Sequence, residues 1–248
     1  MGHDPFDLEP GERVLVLGPH LDDIPASAAG VLLHASRPTA LTVCAGWREG
    51  PLGWWDERCG FATPEQAARS RREEDRRALA GCDVEIVHLD FVDGQYARPA
   101  GDTARLEAAL RDRFAAFHRI LAPAGIGGHV DHLWVRDAAI RARQEGQPLW
   151  LYADYGYHIT QDWTESSGLA AYGLLPRDFR SVALPEPLVR RKRAMLDAYR
   201  SQLAGFTTGP DLLAPHLLAV EWYAQVPAVP APVEPFPRPY REAAAPGG

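Results

Sequence analysis

Five short stretches of the chain are apolar at nearly every position, and they recur at intervals that leave room for a helix between them. They are Val14–Leu17 (VLVL), Ala40–Ala45 (ALTVCA), Val84–Leu89 (VEIVHL), Arg119–Ala122 (RILA) and Leu149–Ala153 (LWLYA). Continuous apolar runs bounded by turn residues suit strands buried on both faces. Between them the period lengthens. Residues 26–34 are helix formers with their apolar members on one side. Thr63-Pro64-Glu65-Gln66 starts a charged helix that runs toward Gly81, with Thr63 as N-cap and Pro64 in the first turn. Asp102-Thr103 caps a helix toward His118, and Val135–Arg143 reads as another. Strand and helix alternating over the first 150 residues predict an α/β fold, a doubly wound and mostly parallel sheet with helices on both faces.

Beyond Tyr155 the pattern weakens. Ser181–Ala183 is strand-like, Pro187–Leu203 is a basic amphipathic helix, and Leu217–Trp222 is a further short element. From Val226 onward seven prolines predict an extended tail. The expected division is one α/β domain over residues 1–225, with 155–225 completing its pocket, and a proline-rich tail over 226–248. No internal repeat is visible.

Composition narrows the class. Hydrophobic residues are 46% and charged residues 24% of the 248, ordinary for a folded globular chain. The net charge of −7 gives no electrostatic footprint for nucleic acid or an anionic membrane. The opening residues lack a basic stretch followed by an apolar one, and no window is long and apolar enough to span a bilayer. Cys44, Cys59 and Cys82 are scattered without metal-binding or disulfide spacing, which fits reduced thiols. A cytoplasmic protein with a small-molecule substrate, and no nucleic-acid or membrane partner, is expected; a homo-oligomer is left open.

The chemistry lies where strands stop. Val14–Leu17 breaks at Gly18-Pro19 into His20-Leu21-Asp22-Asp23, and Arg119–Ala122 runs into PAGIGGHVDH, which holds His129, Asp131 and His132. In a parallel sheet both loops leave the carboxyl edge, where open α/β sheets place their ligands. Either loop alone could be structural, since Asp is common at helix starts. Together they offer imidazoles and carboxylates of the kind zinc takes. Three ligands with an open position make a catalytic site; His20, Asp23 and His132 are assigned to the metal, with Fe²⁺ or Co²⁺ as acceptable as Zn²⁺. Asp22 is then free to act as general base. His129, if protonated, could stabilise an oxyanion or protonate a leaving amine, and Asp131 could orient His129 or a ligand histidine.

PHLDD with GHVDH about a hundred residues later resembles the PIG-L/LmbE-like zinc-dependent de-N-acetylases, whose loops usually read PHPDDE and HPDH or HVDH. The resemblance extends to RREED (Arg71–Asp75), VDGQY (Val92–Tyr96) and, loosely, KRAMLDAYRSQL (Lys192–Leu203). It implies a Rossmann-like sheet and metal-dependent removal of an N-acetyl or other N-acyl group from an amino sugar or its conjugate in small-molecule biosynthesis. The roles above carry over position by position. Leu21 stands where the family has Pro, and Ile24 where it has Glu; the lost carboxylate predicts a modest loss of metal affinity.

Other residues have two readings each. Arg71 is a solvated helix residue or, by the resemblance, reaches substrate hydroxyls. Asp93 forms a turn with Gly94 or binds a sugar. Trp47, Trp54 and Trp55 pack their loop on the sheet or stack on a sugar ring. His158 lies on the surface or overhangs the site. An inactive metal-dependent carbohydrate-binding module and an amidase acting on a thiol conjugate are the alternative functions.

Overall fold

Val14–Gly18 (β1) is buried at every position, and its side chains divide between two cores: Leu15 and Leu17 join one, Val14 and Val16 the other. A strand between two helical layers requires this alternation. The structure, a computed structural model, describes residues 6–163, 167–205 and 211–228. From β1 the chain passes through α1 (Asp23–Ser27), α2 (Ala29–His34), β2 (Thr39–Thr42), α3 (Trp54–Arg58), α4 (Pro64–Ala78) and β3 (Glu85–His88). It continues through α5 (Asp102–Phe114), β4 (Arg119–Pro123), α6 (Val130–Ala142), β5 (Leu149–Tyr152) and α7 (Tyr157–Thr160). It ends with β6 (Arg180–Ala183), α8 (Glu186–Leu196), α9 (Arg200–Gly205), α10 (Pro215–Leu218) and β7 (Val220–Gln225).

The seven strands lie in the order β3-β2-β1-β4-β5-β7-β6. β1 to β5 are mutually parallel; β7 runs antiparallel to β5, and β6 antiparallel to β7. β1 lies between β2 and β4, with Val16 opposite Ala40 on one side and Leu121 on the other. The strand order therefore reverses at β1, and a crevice opens there at the carboxyl ends. α5 and α6 cover one face, where Leu106, Leu110, Phe114, Trp134 and Val135 join Leu15 and Leu17. α1, α2 and α8 pack together over the other face, with α4 against α8.

Several boundaries differ from the sequence reading. The first helix begins at Asp23 and breaks at Ala28, whose ψ of 27° with φ −138° is not helical. α6 begins at Val130, five residues before the apolar period becomes visible, because His129 supplies a side-chain cap that a periodicity count does not register. The basic helix is two helices, α8 and α9, interrupted at Asp197–Tyr199. The weakly patterned segment after Tyr155 contributes β6 and β7 to the main sheet. Of the tail, Arg143 bonds the carbonyls of Val226, Pro227 and Ala228; residues 229–248 lie outside the described residues.

One buried charge pair fastens the antiparallel edge. Lys192 Nζ on α8 donates to Glu221 Oε1 on β7 at 2.8 Å, both side chains being inaccessible. Glu221 Oε2 accepts from Gly30 N of α2 and from the Tyr223 hydroxyl. A single carboxylate thus joins two helices and a strand.

Candidate metal centre

The two histidine-bearing loops leave adjacent strands on either side of the crevice. After β1, Pro19–Asp22 leads directly into α1. After β4, a glycine-rich turn through Ile126–Gly128 places His129 as the N-cap of α6, its Nδ1 accepting from Asp131 N at 3.3 Å. Asp131 and His132 then stand in the first turn of α6. The imidazoles of His20, His129 and His132 converge, with ring centroids 5.0–5.3 Å apart.

Asp23 lies between two of them. Its Oδ2 is 3.3 Å from His20 Nδ1 and 3.4 Å from His132 Nε2, and it accepts from His20 N at 2.8 Å. The opposite nitrogen of each ring has its own carboxylate. His20 Nε2 meets Asp131 Oδ2 at 2.9 Å, and His132 Nδ1 meets Asp154 Oδ1 at 2.6 Å. These carboxylates are fixed in turn. Asp131 accepts from Gly94 N at 2.8 Å and pairs with Arg98, which lies 3.9 Å over the Trp134 ring; Asp154 accepts from Ile126 N at 2.8 Å. Gly94 is required at this contact, since a Cβ there would come within 2.9 Å of Asp131 Oδ1.

The donor set fits a metal ion. Ligands held at about 2.0–2.1 Å from a tetrahedral ion are about 3.3 Å apart, the separation of Asp23 from both imidazole nitrogens. Carboxylates behind ligand histidines are the usual outer support of such sites. Two groups among the described residues have all their donor atoms spaced to hold an ion, His20–His129–His132 and His20–Asp93–Asp131, and neither contains Asp23, whose case rests on its 3.3 and 3.4 Å approaches to His20 and His132. In both, one candidate is already engaged: His129 Nδ1 with Asp131 N, and Asp131 with Arg98.

Electrostatics agree with a site for positive charge. Burial disfavours the charged forms of His20 and His132, yet carboxylates overcome it and raise both: Asp131 and Asp23 at His20, Asp23 and Asp154 at His132. Burial would raise Asp23, but His132 and His20 bring it below the usual carboxylate range. Asp22 moves the other way, pushed up first by burial and then by the charge of Asp23. His129 is lowered by burial and by the two neighbouring imidazoles, so it is a neutral ring here rather than the cation that an acid role would start from.

Asp93 Oδ2 stands 3.9 Å from His20 Nε2 and accepts from Gln95 Nε2, while Asp93 Oδ1 accepts from Gln95 N. Arg71 is close enough to act on the charge of Asp22. Its Nη2 is 2.5 Å from Asp56 Oδ1, its guanidinium lies over the Phe61 ring, and its Nε is buried without a hydrogen-bonded acceptor. Trp47, on the loop after β2, and Trp54, the first residue of α3, are 42% and 66% exposed. Trp55 instead donates its indole N–H to Gln202 of α9 at 3.0 Å. His158 is not brought into the cluster; its ring packs on Tyr155 and Trp163, with Nδ1 3.1 Å from Asp154 O. Ile24 is 2% exposed in the apolar layer against Gly18.

Asp154 and Arg98 escaped the sequence reading. Asp154 follows β5 as the first polar residue after a buried run, the same signal that marked His20. Arg98 has none, since only the fold brings it to Asp131.

Strand-end loops at a topological switch point, a His/Asp cluster shaped for a cation and a second carboxylate with a raised pKa define the class of metal-assisted hydrolases. Residues 15–143 match the GlcNAc-PI de-N-acetylase (PIG-L) family, and the chain belongs to it. The 2'-N-acetylparomamine deacetylase of Streptomyces fradiae is 32% identical over 217 residues, 77% of this chain and 73% of that protein. Among solved structures, the A40926 pseudoaglycone deacetylase Dbv21 has a TM-score of 0.69 at 26% identity, covering 88% of this chain and 99% of that one. A zinc-inhibited form of the teicoplanin deacetylase Orf2 has a TM-score of 0.70 at 22% identity, covering 90% of this chain and 100% of that one. The chain is a hydrolase of the N-deacetylase type.

Proposed function

We propose that the chain removes the acetyl group from an N-acetylated amino sugar borne on a larger biosynthetic intermediate, using a divalent ion held by His20, Asp23 and His132. The observation that carries this reading is Asp23 set between two imidazoles that each have a carboxylate behind them. His129 is left out of the ligand set because its Nδ1 accepts from Asp131 N, so a neutral ring carries its proton on Nε2. When bound, the ion supplies Lewis acidity, favouring attack by water at neutral pH and polarising the acyl oxygen. Zinc suits two imidazoles and a carboxylate, and Fe²⁺ or Co²⁺ would also be accepted.

The protein's own groups then divide the proton work. Asp22 takes the proton from the attacking water, and its raised pKa suits that exchange. His129 donates its Nε2–H toward the acyl oxygen as charge develops there. Asp131 and Asp154 hold His20 and His132 in the tautomers that leave a lone pair for the ion. The proton on Asp22 is the source for the leaving amine. Arg71, held by Asp56 with its Nε left without an acceptor, and Asp93 bind hydroxyls of the sugar. Trp47 and Trp54 offer exposed aromatic faces to the remainder of the substrate.

The reading is tested by incubating metal-loaded protein with N-acetylated amino sugars, free and conjugated, 2'-N-acetylparomamine among them, and weighing the products. Loss of one acetyl group with an equivalent of free acetate is expected, faster from the conjugates. Full metal occupancy with every substrate returned intact would contradict it and favour a binding module.

A further inference from the structure

Seven tyrosines lie among the described residues, and six donate their hydroxyl to a named acceptor: Tyr96 to Asp56, Tyr152 to Leu17 O, Tyr155 to Leu212 O, Tyr172 to Asp137, Tyr199 to Asp75 and Tyr223 to Glu221. Tyr157 has no such partner. Tyr157 is half-buried, its ring packed against the core while its hydroxyl is not sealed inside it. A phenol left without an acceptor beside a polar site is available to a ligand.

Its position is fixed by the chain around it. Tyr157 opens α7, directly after Gly156 turns the backbone with φ +81° beyond the carboxyl end of β5. A third loop thereby arrives at the edge that carries the two histidine loops. The Tyr157 ring packs edge-on to His132 at 5.5 Å between centroids and lies 6.1 Å from His129. Space for it exists because Gly127 has no side chain: a Cβ there would stand 2.5 Å from Tyr157 Cδ1, and the φ of +83° independently favours glycine. The glycine-rich turn before His129 thus also makes room for an aromatic ring against the imidazoles of His129 and His132.

We propose that Tyr157 is a further catalytic residue, its phenol O–H donating to the acyl oxygen as charge develops there, while its ring forms one wall of the acyl pocket. It acts as a neutral donor throughout and exchanges no proton with the substrate. Together with the Nε2–H of His129 it gives two preorganised donors on the acyl oxygen, the arrangement that lowers the barrier of acyl transfer. His158, the next residue, takes no part, being turned onto Tyr155 and Trp163.

The inference rests on the deacetylase reading, so the test has an arm that needs no turnover. Tyr157→Phe keeps the ring and removes the donor. With an N-acetylated amino-sugar conjugate, kcat is expected to fall about 10²-fold and KM to stay within about threefold, with metal content and melting temperature unchanged. Calorimetric titration of metal-loaded protein with acetate, the expected product, is expected to show weaker binding by Tyr157→Phe than by wild type. Wild-type kcat in the variant would overturn the proposal. If wild type turns over none of the conjugates, the substrate reading fails, and acetate binding alone decides: weakened in the variant, the tyrosine contacts the acyl group; unchanged, it does not.

Discussion

Asp22 and Asp23 are neighbours in sequence, yet their surroundings separate their chemistry. Asp23 faces two imidazoles and is held ionised, whereas Asp22, half-buried beside that charge, is pushed toward its neutral form. Paired titratable groups whose pKa values are driven apart identify acid–base work. Support for the ligands is equally local. Asp154→Asn removes the carboxylate from His132 while keeping an acceptor for Ile126 N, and metal affinity is expected to fall about 10–100-fold, as measured by competition with a chelator. The apolar surroundings of Ile24 lead to a different expectation from the one its place in the motif suggests. Its side chain packs against Gly18 in the apolar layer, so Ile24→Glu is expected to lower stability by more than about 2 kcal/mol without tightening metal binding; tighter binding at unchanged stability would refute this. The six histidines and carboxylates of the two loops were legible because ionisable residues at the end of an apolar run have little structural reason to be there. Asp154 ends the buried β5 run in the same way and is legible by that rule, whereas Arg98 and Tyr157 are not, because each acquires its role only from partners that are remote in sequence.

At the scale of elements, the first five strands could be read from continuous apolar runs, since a strand covered on both faces has no polar side to interrupt the pattern. β7 was harder to see because Glu221 breaks its apolar run, and the reason for tolerating that carboxylate, Lys192, lies on another element. Removing one member of a buried pair leaves an uncompensated charge, so Lys192→Ala is expected to cost about 3–5 kcal/mol in denaturant unfolding; a loss below about 1 kcal/mol would show that the edge does not depend on the pair. α6 shows the same limit at its start. Its first turn carries the proposed ligand His132 and Asp131 behind His20, but those residues have no apolar period, so the helix becomes visible in sequence only from Val135. Gly127→Ala tests the turn before it. The added Cβ meets the Tyr157 ring, and kcat is expected to fall at least as far as in Tyr157→Phe with metal content retained.

Across the whole molecule, the site follows from topology. The reversal of strand order at β1 separates the two loops by one strand spacing and opens the crevice between them, while β5 brings Asp154 and Tyr157 to the same edge. Among the described residues no helix is long and apolar enough to cross a membrane. The central claim is that a metal held by His20, Asp23 and His132 and a base at Asp22 together hydrolyse an N-acetyl group. Acetate release from an N-acetylated amino-sugar conjugate, measured alongside metal content for wild type and Asp22→Asn, tests it most directly. Chelation is expected to abolish wild-type release and added metal to restore it, while Asp22→Asn retains the metal and loses at least about 10²-fold in kcat. Acetate release that survives both thorough chelation and Asp22→Asn would contradict the account.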